Sequence, residues 1–494
     1  MPAFRIRNAT PVGNAGTKLL KRRATVAEES SPGVAAEASV GWRRRASLAL
    51  SRAVPDRWDR VAIISIVAGA VVRFVWGILI HPPVAFVYSD IAGYVERAQR
   101  LATGGMLWRI DAFWPPGTHM LLAAPMKLFG PGHAGLWVGA VLWCVLSSLI
   151  PLFMWRLTRL FLSPAAAALA AALCAFWPLH VTYGAFFTSE TPSLAFMVAS
   201  LWAGYRSTRE SGRIALALGL LAGVLGGAAV ACRPQWILNL VVLAVPLALR
   251  WRRQGLVALA GLAVGTAITL GAVLAHNSAV AGKPTGLSEN SGLNFWMGHC
   301  DVHDVTATDP ARSVSFTFGN PVPAQLARGG TYYFEGPMIW DQAFFFGMGV
   351  ECIAQDGLGH ARILAQSVLD MTATTVPWPQ VNDENGQSGV IRVTNLAYSC
   401  LLPLIVVGTL LLVRKRRAAG QSSGELVMLA HLLCFLVVAL IFFGDPRIRS
   451  SYDVFGLALL AALIVDWFGP KFLRPGERTD ADDAPRTRSL PGES

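Results

Sequence analysis

Ten stretches of the sequence are apolar almost without interruption, at roughly 61–80, 134–155, 164–184, 187–205, 214–231, 237–249, 256–275, 396–413, 426–444 and 454–468. A helix rises ~1.5 Å per residue and a bilayer's hydrocarbon core is ~30 Å thick, so runs of this length are those that cross a membrane. Inside lipid every backbone polar group must be paired within the chain, and continuous apolar runs point to helices rather than a closed barrel. The expected fold is therefore an all-α polytopic membrane protein of about ten spans. Only 15% of the 494 residues are charged and 53% are hydrophobic. That balance excludes a disordered chain, a small disulfide scaffold and a conventional soluble enzyme.

Basic residues in short loops set the orientation. Residues 1–60 carry 12 basic and 5 acidic side chains. If they are cytoplasmic, so are the loops holding Arg156 and Arg159, then Arg206, Arg209 and Arg213, then Arg250, Arg252 and Arg253, and finally Arg414 to Arg417. Those loops contain only Glu210 and Glu425 as acids, so every second loop is basic and the alternation is consistent. Gly117–Phe129 is apolar but too short to cross; if it did, all later basic loops would flip outward. It is read as an interfacial or re-entrant piece.

The net charge of +12 needs no nucleic acid to account for it, because the basic N-terminus faces anionic lipid. The 277–394 loop has 5 basic and 11 acidic residues and lies on the other side. No cleavable leader is expected, since the first apolar run begins near residue 61 without a small-residue cleavage site. Residues 1–55 and 470–494 read as disordered tails, both cytoplasmic. Cys144, Cys174, Cys232, Cys400 and Cys434 sit in or at spans as small apolar residues. Cys300 and Cys352 share the late loop and could pair in an oxidising compartment or stay free. There is no CxxC, HExxH, P-loop or GxGxxG motif, nor a tandem repeat.

The polar mass gathers on the outer side, in a first loop at 81–133 and the late loop at 277–394. In the first loop, Ile91, Tyr94, Val95, Ala98 and Leu101 share one helical face, with Glu96, Arg97 and Arg100 opposite and Gly104-Gly105 as the stop. This helix would lie flat in the interface with Asp90 at its start. Asp90 is either a site carboxylate or a helix N-cap. Trp114-Pro115-Pro116-Gly117-Thr118-His119 sets a rigid turn before the short apolar piece, and Lys127 could reach a phosphate or simply snorkel. Glu190 stands at membrane level, where a carboxylate is costly, or is a first-turn helix acid. Arg233, Arg447 and Arg449 sit at outer membrane level against the positive-inside trend and need anionic partners. The guanidinium fork suits phosphate. Arg73 fits better as a pair within the bundle. His299, Asp301, His303 and Asp304 form a polar cluster more in keeping with solvated loop residues than with a metal site. Carboxylates, arginines and an aromatic-rich loop on one face suit sugar transfer from a lipid-linked phosphate: one carboxylate deprotonates the acceptor and basic groups stabilise the departing phosphate.

The order Asp90-x-x-x-Tyr94 with Ala98, Pro115-Pro116-Gly117, Ser189-Glu190, Arg233-Pro234 and Arg447 before the last span resembles the GT-C superfamily of membrane glycosyltransferases. The branch it is most similar to is that of the protein mannosyltransferases and aminoarabinose transferase-like enzymes. The stretches 289–298, with Asn294 and Trp296, and 336–343, with Trp340, resemble segments of that family's large loop. The resemblance covers about residues 60–468. It implies a polyprenyl-phosphate sugar donor, transfer outside the cytoplasm and Asp90 as the catalytic carboxylate. Many relatives carry Asp-Glu where this chain has Asp90-Ile91, so a second acid would come from Glu190 or Asp111. Where some relatives place a phosphate-binding Lys, this chain has His119, with Lys127 further on. Oligosaccharyltransferase relatives use a divalent metal; no matching acidic cluster is present here, so no cofactor is expected.

The expectation is a GT-C-like catalytic domain at 56–469 in a bacterial inner membrane. Asp90 and Glu190 would be catalytic; Arg233, Arg447, Arg449 and Lys127 would bind the donor phosphate. Tyr94, His119, Asn294 and Trp296 would contact substrate, with Tyr332, Tyr333 and Trp340 shaping the acceptor side. The acceptor would be a lipid, glycan or protein. The rival readings are a flippase for a lipid-linked sugar, an O-antigen ligase or polymerase-type transferase using a diphosphate carrier, and a non-enzymatic assembly subunit.

Overall fold

The computed structural model describes residues 56–249, 253–300, 302–310, 313–319, 329–380 and 387–472. The expected disorder of residues 1–55 and of most of 470–494, and the expected placement of Arg250, Arg252 and Asp301, lie outside the described residues, as does the side chain of Arg253; residues 470–472 instead belong to the last helix.

The chain is mostly helical. It runs α1 (Arg57–Phe74, extended by a π turn at Val75–Ile80), α2 (Ser89–Thr103), α3 (Gly117–Phe129), α4 (His133–Thr158), α5 (Pro164–Phe176) and α6 (Pro178–Tyr183). Next come α7 (Glu190–Ser207), α8 (Gly212–Cys232), α9 (Ile237–Leu249), α10 (Arg253–Ala281) and α11 (Ser291–His299). After three strands follow α12 (Gln342–Asp356), α13 (His360–Asp370), α14 (Gln387–Ala418), α15 (Glu425–Ile441), α16 (Pro446–Ser450) and α17 (Asp453–Phe472). Among the described residues five helices, Arg57–Ala85, His133–Thr158, Gly212–Cys232, Gly255–Ala281 and Ser388–Ala418, are long and apolar enough to cross a membrane. The protein is an integral membrane protein.

The third apolar run is not one helix. Trp177 takes an extended conformation and Pro178 restarts the chain as α6. Proline has no N–H to give and clashes with the preceding turn, so carbonyls at the end of α5 lose their helical donors. Arg73 supplies replacements: Nη2 donates to Cys174 O at 2.9 Å, Nη1 to Ala175 O, and Nε to Ser147 Oγ at 2.9 Å. The arginine is 2% exposed, as its reading as a bundle-internal group required. The helix of the fourth apolar run, α7, starts at Glu190, so Phe187-Thr188-Ser189 forms the connection rather than the first turn.

Helices α8 and α10 are packed backbone to backbone. A Cβ on Gly219 or Gly223 would fall 2.3 Å from the carbonyl oxygen of Ala258 or Leu262, and one on Gly265 would fall 2.4 Å from Leu220 O. This seam of small residues is how helices gain contact where lipid removes the hydrophobic drive between them.

The late loop departs from the all-α expectation. Among the described residues it holds a three-stranded sheet in the order β2-β1-β3, built from β1 (Val302–Asp309), β2 (Val314–Gly319) and β3 (Gly330–Glu335). β1 and β2 are antiparallel from Asp304↔Gly319 to Asp309↔Val314; β1 and β3 are parallel. Val314-Ser-Phe-Thr-Phe318 and Thr331-Tyr-Tyr-Phe334 are β-branched and aromatic runs that fit a pleated, half-buried surface. Their apolar faces close over Leu293, Trp296, Met297 and Phe345. Cys300 and Cys352 are disulfide-bonded across this small core, which settles the alternative the sequence left open.

Candidate active site

Helix α2 behaves as its spacing predicts. Ile91, Tyr94, Val95 and Ala98 are buried, and Gly104 ends the helix at φ 71°. Tyr88 occupies the N-cap position without a side-chain cap bond, and Asp90 makes none. The capping alternative for Asp90 is therefore not realised. Its side chain, 30% exposed, faces Arg447, whose Nη1 lies 3.9 Å from Asp90 Oδ2.

Arg97 corrects the amphipathic reading. It was expected on the polar outer face, yet it is 2% exposed. Its guanidinium stacks 4.3 Å from the ring centroid of Trp114 and 5.4 Å from that of Tyr94. The turn at Trp114-Pro115-Pro116 folds back over α2 and covers what local periodicity would leave in water.

Three other segments meet at Asp90. Glu190 opens α7, Arg233 follows α8, and Arg447 lies in α16. Arg233 Nη1 donates to Glu190 Oε1 at 2.5 Å, and Arg447 Nε donates to the same oxygen. Glu190 is 3% exposed and its Oε2 has no hydrogen-bond partner among the described residues. The far face of Arg447 rests on Trp378, 4.2 Å from the ring centroid. Trp378 is itself held by Tyr183 Oη, which donates to its carbonyl at 3.2 Å. Asp445 precedes α16; its Oδ1 accepts the Arg447 backbone N–H at 2.8 Å.

These groups surround a cavity of ≈ 220 Å³, lined among others by Asp90, Tyr94, Asn294, Arg233, Asp445 and Arg447. Glu190 lies behind the two arginines instead of on the wall. Burial pushes the Asp90 carboxyl above its usual range, with Arg447 and Arg97 pulling the other way. Burial and the Asp90 charge push Tyr94 up to about 12. Asp445 is pushed up to about 6 by burial, against the Arg447 N–H and the charges of Arg447 and Arg233. One cavity thus offers a carboxylate as proton acceptor, two guanidinium groups as anion ligands and a second carboxyl.

The other expected residues lie elsewhere. Arg449, 0% exposed, donates to Asn395 Oδ1 at 2.7 Å and pairs with Asp453 at 3.2 Å, so its fork is filled by the protein. Lys127 is exposed at the end of α3. His119 is fully buried in α3, 6.5 Å from the His276 ring, and is not on the cavity wall. Trp296 is the centre of the late-loop core, against Tyr332, Phe334 and Phe345, with 1% exposure. Tyr333 faces outward from β3 while Tyr332 turns its ring toward Trp296, and Trp340 is buried against Phe316. Asp111, the other candidate second acid, pairs with Arg100 at 2.5 Å. His299 bonds to His360 at 3.1 Å and to Ile441 O at 3.0 Å, while His303 bonds to Asp304 at 2.7 Å. Among the described residues no group of three or more His, Cys, Asp or Glu side chains could hold a metal ion. Sequence reasoning passed over Asp445, although the Asp-Pro-x-x signature of a helix start marks it, and Trp378, which no local signal marks.

Residues 114–276 match the family model described as dolichyl-phosphate-mannose-protein mannosyltransferase. None of the curated proteins matches the sequence. Among solved structures, the apo oligosaccharyltransferase of Archaeoglobus fulgidus is 14% identical, over 83% of this chain and 51% of that one, with a TM-score of 0.45. The same organism's oligosaccharyltransferase AglB, in complex with an inhibitory peptide and a dolichol-phosphate, is 15% identical over 83% and 50%, with a TM-score of 0.47. Apo ArnT from Cupriavidus metallidurans is 15% identical over 84% and 80%, with a TM-score of 0.35. The chain spans about half the length of the archaeal enzyme. The family match contains the Pro115-Pro116 turn, Glu190 and Arg233, and with it the resemblance to the GT-C membrane glycosyltransferases read from the sequence is borne out.

Proposed function

We propose that the protein is a transferase of about ten membrane spans that moves a sugar from a polyprenyl-phosphate donor to a lipid, glycan or protein acceptor. The catalytic domain is 56–469, with the 81–133 and 277–394 loops on the extracytoplasmic side of a bacterial inner membrane and both termini cytoplasmic. Asp90 takes the proton of the acceptor hydroxyl as that oxygen attacks the anomeric carbon. Arg233 and Arg447 hold the carrier phosphate and stabilise the charge it gains when the sugar leaves. Tyr94 and Asn294 contact the sugar. Glu190 acts through the arginines, by neutralising and orienting them. No metal is required in this scheme.

The observation that carries the reading is the meeting of Asp90, Arg233 and Arg447 on one cavity. A carboxylate and two guanidinium groups placed so are suited to a displacement in which one end of the reaction loses a proton and the other gains negative charge. The test is to offer purified protein in lipid nanodiscs two labelled donors, a polyprenyl-monophosphate sugar and a polyprenyl-diphosphate sugar. Release of polyprenyl phosphate from the first, dependent on membrane-extract acceptors, is expected. Turnover of the second alone would move the protein to the diphosphate-dependent ligases or polymerases, and turnover of neither would favour the flippase.

A further inference from the structure

We propose, resting on the transferase reading above, that Asp445 is a second catalytic residue, the general acid that gives its proton to the departing carrier phosphate.

The argument starts from its placement. Asp445 lines the same cavity as Asp90, Arg233 and Arg447. It is 1% exposed, and its Oδ1 is fixed by the Arg447 backbone N–H at 2.8 Å. Its Oδ2 is buried and has no hydrogen-bond partner among the described residues. A buried carboxylate oxygen without a donor is costly as an anion and acceptable as an O–H. A protonated Asp445 satisfies that oxygen, and an anion held between Arg233 and Arg447 gives its proton an acceptor.

The charges around it agree. Arg447 in α16, Arg233 after α8, Glu190 in α7, and Asp90 and Arg97 in α2 are the charged groups around it, together with the neutral phenols of Tyr94 and Tyr183. With every acid ionised, Asp90, Glu190 and Asp445 balance the three arginines. A phosphodiester brings one more negative charge, and a proton taken up restores neutrality. Of the two cavity carboxyls, Asp90 keeps 30% of its side chain exposed with Arg447 at 3.9 Å, whereas Asp445 is the more deeply buried. The geometry therefore puts the proton on Asp445 once the anion is bound, because the added negative charge raises further a carboxyl that burial already pushes up to about 6.

The step balances. The acceptor oxygen bonds to the anomeric carbon, and its proton passes to Asp90. The bond from that carbon to the phosphate oxygen breaks with its electron pair going to oxygen, which takes the proton of Asp445. The diester monoanion leaves as a monoester monoanion, and bulk water later takes the proton from Asp90 and gives one to Asp445.

The test compares kcat and KM for a polyprenyl-monophosphate sugar between pH 5 and 9 in wild type, Asp445→Asn and Asp445→Ser. Asn and Ser both retain the N-cap acceptor but carry no titratable proton. The expected result is a fall in kcat of about 10²-fold in both variants, within the usual range for a lost general acid, with KM little changed. Wild-type kcat should fall at alkaline pH, and that limb should vanish in the variants. If both variants unfold, Asp445→Glu decides: the alkaline limb must persist at a lowered kcat, and its absence overturns the proposal. Unchanged kcat and an unchanged alkaline limb, or equal losses in kcat and affinity, would reduce Asp445 to a helix cap and overturn the proposal while leaving the transferase reading intact. Failure of the wild type to transfer would overturn that reading, and the proposal with it.

Discussion

Glu190 and Arg447, 257 residues apart in sequence, share a hydrogen bond through Nε and Oε1 in which neither side chain is more than 10% exposed. The same oxygen receives Arg233. One acid thus holds two cations from two other segments, and the site depends on it without its reaching the cavity.

Replacing that acid should expose the dependence. Glu190→Gln keeps the shape but leaves two buried guanidinium groups without their counter-charge. Breaking a buried pair by removing one partner costs about 3–5 kcal/mol, so the melting temperature in detergent should fall sharply. Asp90→Asn should not share this loss. A Glu190→Gln protein as stable as wild type would show that the arginines are neutralised by other groups.

Gly117 ties packing to chemistry. A Cβ there would fall 2.6 Å from the Ala231 carbonyl carbon and 2.7 Å from the Cys232 nitrogen, immediately before Arg233. Gly117→Ala must push the end of α8 away from α3. The expected result is weaker binding of polyprenyl phosphate, by about tenfold for each 1.4 kcal/mol lost at Arg233, together with a lower melting temperature. Unaltered carrier affinity, measured by titration of the detergent-solubilised protein, would show that Arg233 does not hold the phosphate.

Asp445 predicts a pH signature in stability. Its folded carboxyl lies near 6 against an ordinary 3.8, so the folded state binds the proton more tightly than the unfolded chain. Its contribution is fully present below the ordinary value and is lost as pH rises through about 6. The melting temperature of Asp445→Asn should therefore gain on wild type as pH climbs from 4 to 7. A constant difference across that window would contradict the burial argument.

Much of the fold is written in local pattern. The apolar runs become helices because nothing but intrahelical pairing satisfies their backbones in lipid. The break at Trp177-Pro178 is not legible from the proline alone, since Pro151 in α4 and Pro403 in α14 sit inside unbroken helices. The site is legible only in part. Asp90, Glu190, Arg233 and Arg447 stand out because charge at membrane level is expensive. Arg449 sends the same signal and yet fills an internal network with Asn395 and Asp453, because only the tertiary structure decides which partner is nearest. Helical period misplaces Arg97 for the related reason that it reports one element's faces and not the turn, at Trp114, that covers them. Trp296 has the aromatic face a sugar site needs, but a tryptophan is at least as useful to a small core between a disulfide and a sheet. The strands were lost within a chain whose periodicities are otherwise helical.

The most direct test of the account is sugar transfer by Asp90→Asn. Wild type and variant, at equal amounts in nanodiscs, receive a labelled polyprenyl-monophosphate sugar and acceptor-containing extract, with carrier binding measured in parallel. The account predicts transfer reduced by at least about 10²-fold, as for a lost general base, with carrier affinity retained through Arg233 and Arg447. Transfer at the wild-type rate would contradict it, because no acceptor proton could then be passing to Asp90.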